Sequence, residues 1–150
     1  NTARHAGAWL AVQNDGNVVL YSKTNKPVWH KNLYIGRVDG GYTLSRNQVV
    51  QSPNGRYKFI MQTDSNLVLY DTKNGIKPLW SSNTHKRGAS RVEMQKDGNL
   101  VMYKGRTPIW ASNTARHAGA WLAVQNDGNV VVYAANNQPL WHTATGNPNR

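Results

Sequence analysis

Five residue types recur in this chain at alternate positions, in the pattern Gln-x-Asp-x-Asn-x-Val-x-Tyr. The copies are Gln13, Asp15, Asn17, Val19 and Tyr21; Gln62, Asp64, Asn66, Val68 and Tyr70; Gln95, Asp97, Asn99, Val101 and Tyr103; and Gln125, Asp127, Asn129, Val131 and Tyr133. An ionised Asp only accepts hydrogen bonds, whereas Asn, Gln and a Tyr hydroxyl both donate and accept. Val adds an apolar patch. A ligand crowded with hydroxyls on a carbon ring needs several convergent polar groups and one apolar surface. The set holds no nucleophile–base pair, so its chemistry is recognition.

The rest of the composition narrows the classes further. Of seven acidic residues, four belong to the motif, leaving Asp39, Asp71 and Glu93. That is too few for a convincing general acid–base pair, so an enzyme is not expected. One carboxylate per motif is too few for calcium, the five His show no metal spacing, and Cys is absent, so no metal or other cofactor is expected. Lys and Arg number 18, for a net charge of +11, which invites an acidic partner. The basic run His85, Lys86 and Arg87, with Arg91, reads more readily as a solvated loop than as a site. Mean hydropathy is −0.66. No apolar run reaches the roughly 18 residues of a membrane span. The chain starts without Met or a signal peptide, so a processed or trimmed start is expected.

The motif must be positioned by strands. Asp-Gly or Asp-Ser between apolar alternations is a hairpin signal. A three-residue loop, Asn14-Asp15-Gly16 in the first copy, pairs Gln13 with Asn17, Ala11 with Val19 and Trp9 with Tyr21. Gln13, Asn17, Val19 and Tyr21 then share one face, and Leu10, Val12, Val18 and Leu20 the other. Later copies put Phe59, Met61, Leu67 and Leu69, then Val92, Met94, Leu100 and Met102, then Leu122, Val124, Val130 and Val132 inside. Lys58, Ile60, Arg91 and Glu93 fall outside. A two-residue loop would split Gln from Asn. Ser65, where the other copies have Gly, must take a left-handed conformation. Each hairpin is followed by Pro-x-Trp, ending at Trp29, Trp80, Trp110 and Trp141. One hairpin cannot bury its own apolar face, so several must stack around these indoles. Trp9 and Trp121 fall on the motif side instead.

The copies start at 13, 62, 95 and 125, and the widest gap holds an extra segment, 32–53. Residues 1–19 are identical to residues 113–131, which points to a recent duplication or to engineering. Turn and strand preference alone would account for Asp, Gly and Asn, but not for Gln and Tyr on one face in every copy. For the first copy the two readings stand level, because its neighbouring sheets are not evident.

The repeated motif strongly resembles that of the monocot mannose-binding lectin family, typified by the snowdrop bulb lectin. The resemblance covers nearly the whole chain, including the Tyr-Thr-Leu at Tyr42 and the Trp-x-Ser-Asn-Thr links at Trp80 and Trp110. It implies an all-β, β-prism II fold: three antiparallel four-stranded sheets about a pseudo-threefold axis. It implies a partial repeat over 1–38, the last third of a preceding domain or a strand-exchange segment, and a complete domain over 39–150. Asp and Asn would bind the 2-hydroxyl of mannose, Gln the 3-hydroxyl and Tyr the 4-hydroxyl, with Val under the ring. Each shallow site would be weak, roughly millimolar or about −4 kcal/mol, and repetition would supply avidity. Plant members carry an intradomain disulfide, and here Ser65 and a position near Ser90 take those places. The expectation is a secreted, multivalent, metal-independent lectin for mannose-type glycans, dimeric by strand exchange or joined to a tandem domain. The alternative is a lectin-like bacteriocin gripping D-rhamnose- or mannose-containing bacterial polysaccharide, favoured by the tandem remnant, the missing Cys and the charge. A third reading, a cationic binder of nucleic acid or anionic surfaces on a lectin scaffold, would show steep salt dependence; no specific nucleic acid is expected.

Overall fold

A computed structural model describes residues 6–12, 18–25, 27–30 and 33–147. Gln13, Asp15 and Asn17, and the side chains of Val19 and Trp29, lie outside the described residues. All regular structure among the described residues is β.

Each motif copy sits on the first two strands of a three-stranded meander. These are β1 (Trp9–Val12), β2 (Val18–Tyr21) and β3 (Pro27–His30) in the first copy. Four short strands follow: β4 (Leu33–Ile35), β5 (Arg37–Asp39), β6 (Tyr42–Ser45) and β7 (Val49–Gln51). The second meander is β8 (Tyr57–Met61), β9 (Leu67–Asp71) and β10 (Lys77–Ser81). The third is β11 (Arg91–Met94), β12 (Leu100–Lys104) and β13 (Thr107–Ala111), and the fourth is β14 (Trp121–Val124), β15 (Val130–Tyr133) and β16 (Pro139–His142).

The extra segment explains the irregular repeat spacing. It deals one closing strand to each later meander, in reverse order: β5 beside β14, β6 beside β11 and β7 beside β8. Two sheets are therefore antiparallel and four-stranded, as expected. The sheet of β8 departs from that expectation, because β4 adds a fifth strand, parallel to β7. The domain boundary expected between 38 and 39 falls inside β5.

The register follows the three-residue loop. Trp9 lies opposite Tyr21, Phe59 opposite Leu69, Val92 opposite Met102 and Leu122 opposite Val132. Ser65 takes φ 79°, beside 93° and 87° at Gly98 and Gly128, the equivalent turn positions. Gly128 is also held by contact, since a Cβ there would meet Tyr57 at 2.7 Å.

Alternation then sends the aliphatic side chains to one centre. Phe59, Met61, Leu67, Leu69, Met102, Leu122, Val130 and Val132 are fully buried. Each such burial contributes roughly 1.5–3 kcal/mol relative to exposure. Trp80, Trp110 and Trp141 pack on this core and meet edge-to-face, with centroids 5.5, 5.6 and 5.7 Å apart. The three near-equal distances place the pseudo-threefold axis at this centre.

The first meander behaves differently. Its register matches the others, but Leu10, expected on an inner face, is 60% exposed. Leu122, in the identical tetrapeptide Trp-Leu-Ala-Val, is 0% exposed. The difference is tertiary. β14 has β5 on one side and other sheets behind it, whereas β1 pairs only with β2 among the described strands.

Candidate functional site

The hairpin turn positions the acidic residue first. Asp64, Asp97 and Asp127 each accept, at Oδ1, the backbone N–H of the motif Asn two residues on, at 2.9, 3.0 and 2.9 Å. This Asx turn uses one carboxylate oxygen and leaves the second for another partner.

The motif Asn is oriented by residues outside the motif. Asn66 Oδ1 accepts from Ser82 Oγ at 3.0 Å and from the Thr84 N–H at 3.2 Å. Asn99 is held the same way by Ser112 at 3.2 Å and Thr114 at 3.1 Å. Asn129 is held by Thr143 at 3.0 Å and Thr145 at 3.3 Å. With its oxygen doubly bonded, each Asn amide turns its Nδ2 hydrogens to the site. The hydroxyls of this clamp are themselves fixed. Thr84, Thr114 and Thr145 donate to the turn carbonyls of Ser65, Gly98 and Gly128 at 2.8, 2.7 and 2.6 Å. Ser82, Ser112 and Thr143 accept the N–H of Leu67, Leu100 and Val130, each at 3.0 Å.

Gln and Tyr meet across the sheet. Gln62, Gln95 and Gln125 donate Nε2–H to the hydroxyls of Tyr70, Tyr103 and Tyr133 at 2.9, 2.8 and 2.8 Å. Each phenol then keeps its own proton to donate, and each Gln keeps its carbonyl oxygen. Val68, Val101 and Val131 lie between them, 2–3% exposed. Every site therefore offers two acceptors, two donors and an apolar floor on one sheet face. The fifteen residues expected for the later three copies are brought together in three separate clusters. Of the first copy, Tyr21 is described and stacks on Trp9 with centroids 4.8 Å apart.

Sequence reasoning missed the clamp. The signal was present as a hydroxyl residue two and four positions after each Pro-x-Trp: Ser82 and Thr84, Ser112 and Thr114, Thr143 and Thr145. The first copy lacks it, with Lys31 and Leu33 at those positions.

The sites differ at their rims. Opposite the motif Tyr stand Lys58, Arg91 and Trp121 in turn. Trp121 stacks on Tyr133 at 4.9 Å, on the motif face as expected, with the Arg37 guanidinium 4.2 Å over its ring. The backbone of Gly146 passes Asp127 closely enough that a Cβ there would lie 2.9 Å from Oδ2. Asp127 is thereby half-buried, whereas Asp64 and Asp97 are exposed. Among the described residues no three His, Cys, Asp or Glu gather as metal ligands, and no helix is long and apolar enough to cross a membrane.

No protein-family model matches the chain. A mannose-specific lectin of Narcissus pseudonarcissus is 51% identical over 69 residues, 44% of this chain and 57% of that protein. The chain spans about half the length of the first curated relatives it matches. Among solved structures, a monomeric monocot mannose-binding lectin from Gastrodia elata is 41% identical with a TM-score of 0.68, covering 75% of this chain and 99% of the other. The mannose-specific agglutinin of snowdrop, Galanthus nivalis, complexed with methyl-α-D-mannoside, is 43% identical with a TM-score of 0.60. That likeness covers 66% of this chain and 89% of the snowdrop chain.

Proposed function

The chain belongs to the monocot mannose-binding, snowdrop-type lectin family with its β-prism II fold, and from that premise we propose that it binds mannose-type sugars at three sites without a metal. The observation that carries the proposal is the threefold recurrence of one hydrogen-bonded cluster around a buried Val. In each cluster the free Asp oxygen and the Asn amide take the axial 2-hydroxyl. The Gln oxygen takes the 3-hydroxyl, the Tyr hydroxyl donates to the 4-hydroxyl, and Val packs under the ring carbons. The snowdrop structure with methyl-α-D-mannoside supports this choice of sugar. The function proposed is binding. The setting that suits such a protein is outside the cell, where branched glycans are displayed.

The first copy is left out of the count. Its sequence has Lys31 and Leu33 where the later copies carry the hydroxyl residues that orient Asn66, Asn99 and Asn129. The relatives named above are lectins, and nothing among them supports the bacteriocin alternative, the rhamnose polymer or the homodimer.

The test is an amide-resolved NMR titration with methyl α-mannoside. The side-chain amides of Asn66, Asn99, Asn129, Gln62, Gln95 and Gln125 should shift with saturation, and those of Gln13 and Asn17 should not. Shifts confined to residues away from these clusters would overturn the assignment.

A further inference from the structure

The pseudo-threefold symmetry provides an internal control for the surplus of positive charge. Residues 33–147 carry 13 Lys and Arg and six Asp and Glu. Three carboxylates pair with arginines, as Arg37–Asp39, Arg56–Asp71 and Arg91–Glu93, and the other three are the motif Asp residues. The remaining ten cations form no ion pair with another described residue.

Four of these ten, Arg46, Arg87, Lys104 and Arg106, collect with Arg91 towards the Tyr end of the sheet of β6, β11, β12 and β13. The end of β6, the start of β11 and the turn from β12 to β13 all lie there. Contacts confirm the convergence. Arg46 Nη2 donates to the Ala89 carbonyl at 3.1 Å. Arg91 Nη1 donates to the Gly105 carbonyl at 2.5 Å. A Cβ on Gly88 would meet the Lys104 stem at 3.0 Å, so that stem lies over the loop that follows Arg87. Arg46, Arg87, Lys104 and Arg106 are exposed, and Arg91 shares its charge with Glu93.

The same end of the sheet of β5, β14, β15 and β16 is built from Gly40, Gly41, Gly119, Ala120, Ala134 and the turn of residues 135–138, with Asp39 paired to Arg37, whose guanidinium lies over Trp121, and the Lys96 stem against Gly41. In the sheet of β8, Lys58 stands opposite Tyr70, Lys73 lies in the turn after β9 and Lys77 begins β10, while Arg56 is bound through two hydrogen bonds to Asp71, which raises its pKa above the ordinary value and offsets its charge.

The cationic end adjoins a sugar site. Lys104 follows Tyr103 in sequence, and the Arg91 guanidinium lies 4.7 Å over the Tyr103 ring. We infer that this end of the third sheet is an anion-binding extension of the Tyr103 site, built for a glycan whose mannose-type residue is followed by residues bearing sulfate or carboxylate groups. It rests on the sugar reading of the preceding subsection for its link to Tyr103, but not for the presence of the cationic surface. Arg46, Lys104 and Arg106 hold the anionic groups, and Arg91 positions the Tyr103 ring between the two parts. A polyanion crossing such a surface releases counterions, so this binding weakens with salt while neutral sugar binding does not.

The experiment compares dextran sulfate, neutral dextran, methyl α-mannoside and a single-stranded DNA oligonucleotide of matched charge on the full chain and on the double variant Lys104→Glu/Arg106→Glu. Both positions are exposed in a turn, and circular dichroism checks that the variant folds. The expected result is salt-dependent binding of dextran sulfate that falls at least tenfold in the variant, with mannoside binding unchanged. Retained dextran sulfate binding in the variant overturns the proposal. Tighter binding of the DNA than of dextran sulfate overturns the assignment to glycans. Loss of mannoside binding in the parent with the dextran sulfate result intact overturns the sugar sites and supports the cationic surface alone.

Discussion

Asn99 has both lone pairs of its side-chain oxygen committed, to Ser112 and to the backbone of Thr114, so it can face a ligand only as a donor. Specificity at this scale is a matter of which hydrogen each group has left. Ser112→Ala removes one anchor and should lower mannoside affinity at that site about tenfold, the worth of roughly one well-made hydrogen bond. Calorimetry against the parent measures it, with Asn66 and Asn129 as unaffected references. Two positions test the scaffold. Ser65 holds φ 79° without being glycine, so Ser65→Gly should raise stability by about 1 kcal/mol in chemical denaturation. The Tyr57 hydroxyl is buried and finds no hydrogen-bond partner among the described residues. Tyr57→Phe should therefore leave stability unchanged or raise it by about 1 kcal/mol, and a loss of more than that would reveal a hidden partner.

The hairpins were legible in the sequence because loop length and side-chain alternation fix one another. Gln62 N–H to Asn66 O at 2.8 Å closes the three-residue loop that the pattern demands. Ser65 in the glycine position was foreseeable on the same ground. The closing strands β5, β6 and β7 were not legible, since three or four residues carry too little alternation to show which sheet they join. β4 was hidden for the same reason, and its parallel pairing has no local turn to announce it. The clamp hydroxyls were overlooked because Ser and Thr after a strand read as ordinary loop residues. Only the fold brings Thr84 to Ser65, 19 positions away. At the centre, Trp110 touches both Trp80 and Trp141 edge-to-face. Trp110→Ala should cost about 3 kcal/mol or more and lower the melting temperature, because neither neighbouring indole can fill the space.

For the whole molecule, identical sequence does not secure identical burial. Leu10 and Leu122 share their neighbours in sequence and differ by 60% in exposure, so the surroundings of the sheet decide which copy is a complete unit. Three oriented sites on three sheets point in different directions about one axis, a geometry suited to cross-linking branched glycans. Sites of roughly millimolar strength gain about 10²–10⁴ in avidity when two or more engage one surface. Asp64→Ala, Asp97→Ala and Asp127→Ala, combined stepwise, should therefore reduce retention on a mannan surface far more steeply than they reduce mannoside binding in solution. The surplus charge acts separately, through long-range attraction that salt screens. The most direct test of the central claim is calorimetric titration of the chain with methyl α-mannoside at low and high salt. The account predicts weak binding at two or more sites per chain, unchanged by salt; no heat at millimolar sugar, or heat that vanishes with salt, would contradict it.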